Sequence, residues 1–179
     1  MITYSEEAES KALLQVAELM CLAARTAPKG RGVDRIETII IFGNDDIAKL
    51  TSEMRNIANN YGDACAFFNR DAGCLEKAGG PVVLIGTTTG TMGLAGCGYC
   101  GFENCNELTK AGGVCAYVSG DLGIAVGSAA SVAAQHKADN RVMFSVGKAA
   151  INLGLFKGDI KIAYGLPLSA SGKNPFFDR

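Results

Sequence analysis

Residues 81–115 read PVVLIGTTTGTMGLAGCGYCGFENCNELTKAGGVC, and the order of parts in this stretch decides the fold. After Pro81 come Val82, Val83, Leu84 and Ile85, an apolar run of strand length rich in β-branched side chains. Unbroken rather than alternating apolarity fits a strand covered on both faces. Gly86 opens a glycine-rich segment that reaches Gly101, and Cys97, Cys100, Cys105 and Cys115 fall inside it and just beyond. Asn104 with Glu107 three residues later reads as a capping box for a short helix from about Cys105, which Gly112 and Gly113 stop. A buried strand thus feeds into a cysteine segment, residues 86–118.

Upstream, Ser5 reads as a helix N-cap, with Glu6 and Glu7 beside the positive end of the dipole. Leu13, Val16, Ala17, Met20 and Ala24 recur at helical spacing, and the helix ends near Arg25. Ala27 to Gly32 is a loop, because Pro28 and two glycines do not suit an element interior. Glu37 to Phe42 is a buried strand. Gly43 ends it, and Asn44 caps a helix with Ile47, Leu50, Met54 and Ile57 on its buried face. Residues 61–68 are ambiguous, and Asn69 starts a short helix to Ala78.

Downstream, residues 119–137 read as a helix with Ser119 or Asp121 near its cap. Asp139 or Asn140 starts another, which carries Val142, Val146, Ala149, Ala150 and Leu153 to Gly154. Ile160 to Tyr164 is a third strand. Three apolar strands among five or six helices predict an α+β or α/β sandwich. With 179 residues and neither repeat nor linker, residues 1–179 are expected to form a single domain.

Composition narrows the function classes. Apolar residues make up 48% and charged residues 20%, as in an ordinary globular protein. A net charge of −1, with no basic run, argues against nucleic acid as a partner. No apolar run approaches the ~20 residues that span a bilayer, and the acidic start lacks the features of a secretion signal. A cytoplasmic location is expected, and there seven cysteines point to reduced thiols and metal chemistry rather than disulfides.

Cys97 and Cys100 lie two residues apart, so one tight turn presents both sulfurs, with Gly98 and Gly101 supplying the left-handed or crowded backbone. Thiolates spaced this way hold an iron–sulfur cluster or a zinc ion. Structural zinc with four cysteines usually uses two close pairs, and only one is present here, which favours a [4Fe–4S] cluster on Cys97, Cys100, Cys105 and Cys115. Backbone N–H groups at a helix start near Cys105 suit cluster sulfides.

The motif Cys97-Gly-Tyr-Cys100-Gly-Phe-Glu-Asn-Cys105 resembles the four-iron four-sulfur domain of Rnf-type B subunits and corrinoid iron–sulfur proteins. That resemblance implies a [4Fe–4S] cluster on the first three cysteines; Cys115 follows sooner than the fourth cysteine of those families. Residues 24–34 (ARTAPKGRGVD) and 171–179 (SGKNPFFDR) resemble a family of uncharacterised "ferredoxin domain-containing" proteins, a likeness that covers nearly the whole chain. The order of helix, Ala24-Arg25-Thr26-Ala27-Pro28, strand, helix, and the later Tyr164-Gly165-Leu166-Pro167, is similar to nitroreductase-like flavoproteins. This implies a nitroreductase-like three-layer sandwich carrying an inserted cysteine loop. It also implies a homodimer with FMN between subunits, its phosphate met by Arg25, Lys29 or Arg31, or by Lys173 or Arg179 in the tail. The Trp-containing continuation of those flavoproteins is absent, since the chain has no Trp.

The expected function is an iron–sulfur protein serving electron transfer to a redox partner protein. An FMN-dependent oxidoreductase fed by the cluster and a structural zinc protein are the alternatives. No base or nucleophile stands out. Gly86 to Gly93 lacks the Gly-Lys-Ser/Thr ending of a P-loop, His136 reads as a surface residue, and Cys21 as packing. Cys65 and Cys74 are unassigned thiols, and Lys148 and Lys157 are expected in solvent.

Overall fold

The computed structural model describes residues 2–177. In chain order these form α1 (Ser5–Thr26), β1 (Ile36–Ile41), α2 (Asn44–Tyr61), α3 (Phe67–Ala78), β2 (Val82–Thr88), α4 (Cys105–Lys110), α5 (Ala116–Gln135), β3 (Asp139–Asn140), α6 (Phe144–Asn152) and β4 (Ile160–Ser169). The strands make one antiparallel sheet in the order β1-β2-β4-β3. Ile36 lies opposite Thr87 and Ile41 opposite Val82, while Val82 faces Pro167 on the other side.

The pleat divides the core in two. Val83 and Ile85 of β2, with Leu166 and Leu168 of β4, face α1 and α5. Val82 and Leu84 face the opposite way, toward α2, α3 and α6. Successive strand residues alternate faces, so a strand covered by helices on both sides is apolar at every position. This makes the α+β three-layer sandwich. The α1 face is the one the spacing predicts, Leu13, Val16, Ala17, Met20 and Ala24 all being buried.

Helix α6 rests directly on β4. A Cβ on Gly147 would stand 2.0 Å from the Ala163 carbonyl oxygen, and one on Gly165 would stand 2.2 Å from Val146. Glycine at both positions is what lets helix and strand backbones approach.

Several sequence expectations are corrected. Tyr4, not Ser5, occupies the cap of α1, and Gly43, not Asn44, that of α2, without a side-chain bond at either. Helix α5 starts at Ala116, so Ser119 and Asp121 lie within it. Asp121 is buried, its carboxylate turned to another segment. The helix expected from Asp139 starts at Phe144 instead. Asp139 and Asn140 pair with Ser169 and Leu168 as a fourth strand, and Val142 and Leu153 are exposed. The extra length of β4 beyond Tyr164 supplies that partner.

Candidate metal centre

The cysteine loop leaves the sheet at Thr88, where β2 ends between β1 and β4. The turn expected around the first pair is present: Gly98 and Gly101 have φ of 59° and 82°, and the Gly101 N–H donates to the Gly98 carbonyl at 3.0 Å. Such φ values are strained for residues with a side chain, so the turn that carries Cys97 and Cys100 depends on both glycines.

Asn104 Oδ1 accepts from the N–H groups of Asn106 and Glu107 at 3.0 and 3.1 Å, fixing the start of α4 beside Cys105. Half the expected capping box is therefore formed. Glu107 turns instead to Lys110 at 2.8 Å. The N–H groups expected to face cluster sulfides are those Asn104 takes, because a side-chain acceptor two residues away reaches them first.

Beneath the loop lies a small apolar core of its own: Met92, Leu108, Cys115 and Val118, with Leu94, Cys100, Phe102 and Tyr117 against it. Tyr99 stacks on Tyr117 with centroids 5.8 Å apart and planes 7° from parallel. Gly112, at φ 65°, ends α4, and the chain turns through Gly113 to bring Cys115 back under the loop. Cys97, Cys100, Cys105 and Cys115 all line one cavity of about 260 Å³. They open onto it without closing on a point. Among the described residues no three Cys, His, Asp or Glu side chains stand where they could hold one ion.

The thiols differ in surroundings. Cys97, Cys100 and Cys105 are half-buried, and Cys115 is buried. Burial pushes the Cys115 thiol up, but backbone hydrogen bonds at Val118, Met92 and Tyr117, with the positive charge of Arg35, bring it below its ordinary value. Four soft sulfur donors around one open cavity, with a cation behind the most buried, fit a thiolate-bound anionic cluster.

The basic residues expected at a flavin phosphate are taken up with the chain itself. Arg25 pairs with Asp34 and donates to the Ile36 carbonyl at 2.8 Å. The Lys29 ammonium donates to the carbonyls of Ala24, Arg25 and Ala27 at 2.9, 2.5 and 2.8 Å, closing the C-terminal end of α1. Arg31, exposed and at φ 55°, donates to the Met92 carbonyl at 3.1 Å. Lys173 stands far along the chain in the tail, its carbonyl accepting from Ser171; Arg179 lies outside the described residues.

Two residues of this neighbourhood make contacts that sequence spacing does not show. Asp121 accepts the Gly30 N–H with both carboxylate oxygens, at 3.0 and 3.1 Å, tying the basic loop to α5. Arg35 donates from Nη2 to the Thr91 carbonyl at 3.2 Å, at the root of the cysteine loop. Its signal in the sequence was weak: one more cation in a basic segment, with a target 56 residues away.

Away from the cavity, Cys21 packs on the α1–α5 core, and burial raises its thiol above the ordinary value. Cys65 and Cys74 pack on the other core. His136, Lys148 and Lys157 are exposed, as expected.

Residues 111–179 match a family described as uncharacterised proteins containing a ferredoxin domain. A protein of Archaeoglobus fulgidus, itself described only as uncharacterised, is 37% identical across all of this chain and 98% of its own length. Among solved structures, a nitroreductase with bound FMN from Desulfitobacterium hafniense superposes with a TM-score of 0.58 at 16% identity, covering 100% of this chain and 85% of that one. A BluB-like flavoprotein from Clostridium difficile gives 0.54 at 17%, covering 94% and 81%. The sandwich is thus of the nitroreductase-like type. No helix among the described residues is long and apolar enough to cross a membrane.

Proposed function

The chain belongs to the family of uncharacterised proteins that contain a ferredoxin domain, and from that premise we propose that it is an electron carrier holding a [4Fe–4S] cluster on Cys97, Cys100, Cys105 and Cys115. The observation that carries this reading is the shared cavity: four thiols from a nineteen-residue stretch line one space of about 260 Å³. When bound, the cluster supplies one-electron transfer. The chain's part is to bind and shield it. Cys97 and Cys100 come from the glycine turn, Cys105 from the capped start of α4, and Cys115 from the extended residue that caps α5, buried beneath the loop. Thiolate ligands must shed their protons to bind, so cluster affinity is expected to fall as pH is lowered.

The stacked Tyr99 and Tyr117 flank Cys100 and Cys115 in sequence, with Tyr99 76% exposed, so this face offers an electron a short way out to a redox partner protein. The working unit is a homodimer. Strand β1 is an open sheet edge, and Ile39 to Phe42 with Leu14, Leu153 and Leu155 line a mainly apolar groove of about 700 Å³ along it, which Glu18, Asp46 and Lys49 also line. A second reading, an FMN oxidoreductase relayed by the cluster, draws support from the likeness to the FMN-containing nitroreductase. Engagement of Arg25 and Lys29 within the chain weakens it at those positions.

Anaerobic purification followed by a visible spectrum separates the readings. A brown, air-bleached sample supports the cluster, two-peaked yellow absorption supports the flavin, and a colourless protein with one zinc per chain refutes both.

A further inference from the structure

Among the described arginines, Arg25, Arg55 and Arg70 pair with Asp34, Glu76 and Asp71, while Arg31 and Arg141 donate to the carbonyls of Met92 and Phe176. Arg35 is half-buried, and among the described residues no carboxylate lies within ion-pairing distance of it. Its one hydrogen bond runs from Nη2 to the Thr91 carbonyl, and Nη1 lies 3.2 Å from where a Cβ on Gly90 would stand. Its Nε is enclosed and has no partner. A charged group so placed, with an orphaned donor, is costly unless an anion lies nearby. What lies nearby is the cysteine cavity. Thr91 precedes Met92, and Met92 packs with Cys115 in the core of the loop and lines the cavity beside it.

We propose that Arg35 sets the redox poise of the cysteine site, its guanidinium acting from behind Thr91 and Met92 to stabilise the more negative state of a cluster held on the four thiolates. This rests on the ferredoxin reading and adds to it the residue that tunes the site. Arg35 touches neither sulfur nor substrate in the structure; it acts through space and by holding the loop's root. Glycine at position 90 contributes by leaving room: a side chain there would press on the guanidinium. The bland alternative is a clamp that holds Thr91 and nothing more. Charge separates the two, since a clamp needs a donor while tuning needs a cation.

The test is a potentiometric titration of the anaerobically reconstituted full-length protein. Dithionite supplies one electron per cluster and is oxidised to sulfite, and no bond in the protein is made or broken. In Arg35→Gln, with wild-type iron content, the equilibrium constant for reduction should fall about tenfold, a shift of about 59 mV in a one-electron midpoint. Arg35→Lys should keep the midpoint near wild type, and so should Lys148→Gln, which removes an exposed cation from α6. If Arg35→Gln does not fold, Arg35→Met carries the same expectation. An unchanged midpoint with full iron in the neutral variant overturns the inference, as does an equal fall in Arg35→Lys or Lys148→Gln. Wild-type protein that takes up no iron removes the ferredoxin reading along with it, which distinguishes the two failures.

Discussion

Replacing Asp121 by Ala tests how the cysteine loop is held to the sandwich. Its carboxylate is buried in α5 and accepts the Gly30 N–H with both oxygens, at 3.0 and 3.1 Å. The loop so anchored carries Arg31 and Arg35, which in turn hold the carbonyls of Met92 and Thr91. Loss of a hydrogen bond to a charged group costs roughly 1.5–3 kcal/mol, and the Gly30 donor is left unpaired. Alanine regains about 0.5 kcal/mol of helix propensity over aspartate within α5. The net loss is about 1–2.5 kcal/mol, or roughly 2–10 °C in melting temperature at this chain length. Asn offers one oxygen without the charge, so Asp121→Asn should fall between wild type and Asp121→Ala. Thermal unfolding followed by circular dichroism, on apo protein, reads all three. A melting temperature for Asp121→Ala within 1 °C of wild type, or an Asn variant less stable than the Ala variant, would refute this anchoring.

The remaining predictions concern pH and assembly. Burial pushes the Asp34 carboxyl up, but the Arg25 guanidinium, the Ile36 N–H and the Lys29 charge outweigh it and hold the carboxyl below its ordinary value. A depressed carboxyl contributes stability that is complete above the unfolded pKa near 4 and fades as pH falls through the folded one. The urea-midpoint difference between wild type and Asp34→Asn should therefore be constant from pH 7 to about 5 and shrink below about 4; a difference that persists undiminished to pH 2 would contradict it. Light scattering should give the mass of two chains, and Phe42→Asp on the open β1 edge should shift it toward one. A monomeric wild type ends the dimer proposal.

How far the sequence could be read depended on the range of the interactions. Helix α1 was legible because Leu13 to Ala24 declare their face through local spacing alone. The first half of strand β2 was legible because burial on both faces makes Val82 to Ile85 apolar without a break, and the alternation of Val82 and Leu84 against Val83 and Ile85 then follows from the pleat. Strand β3 was not, since Asp139 and Asn140 have no strand character of their own and pair only because β4 runs past Tyr164 to meet them. Asp121 misled for a related reason: a carboxylate near a helix start looks like a cap, and its partner is Gly30, 91 residues away. At the site, the glycine turn and the Asn104 cap were readable, being contacts of two or three residues' range. That Glu107 would prefer Lys110, that Lys29 would close α1, and that Arg35 would lie behind Cys115 all depended on side-chain placement that spacing does not fix.

The most direct measurement of the central claim is iron and sulfide per chain in anaerobically purified protein, compared with Cys115→Ser. The account predicts about four of each in the wild type, with a brown colour that air bleaches, and loss of the cluster in the variant. Wild-type protein without iron, or a Cys115→Ser variant that keeps its full complement, would contradict it.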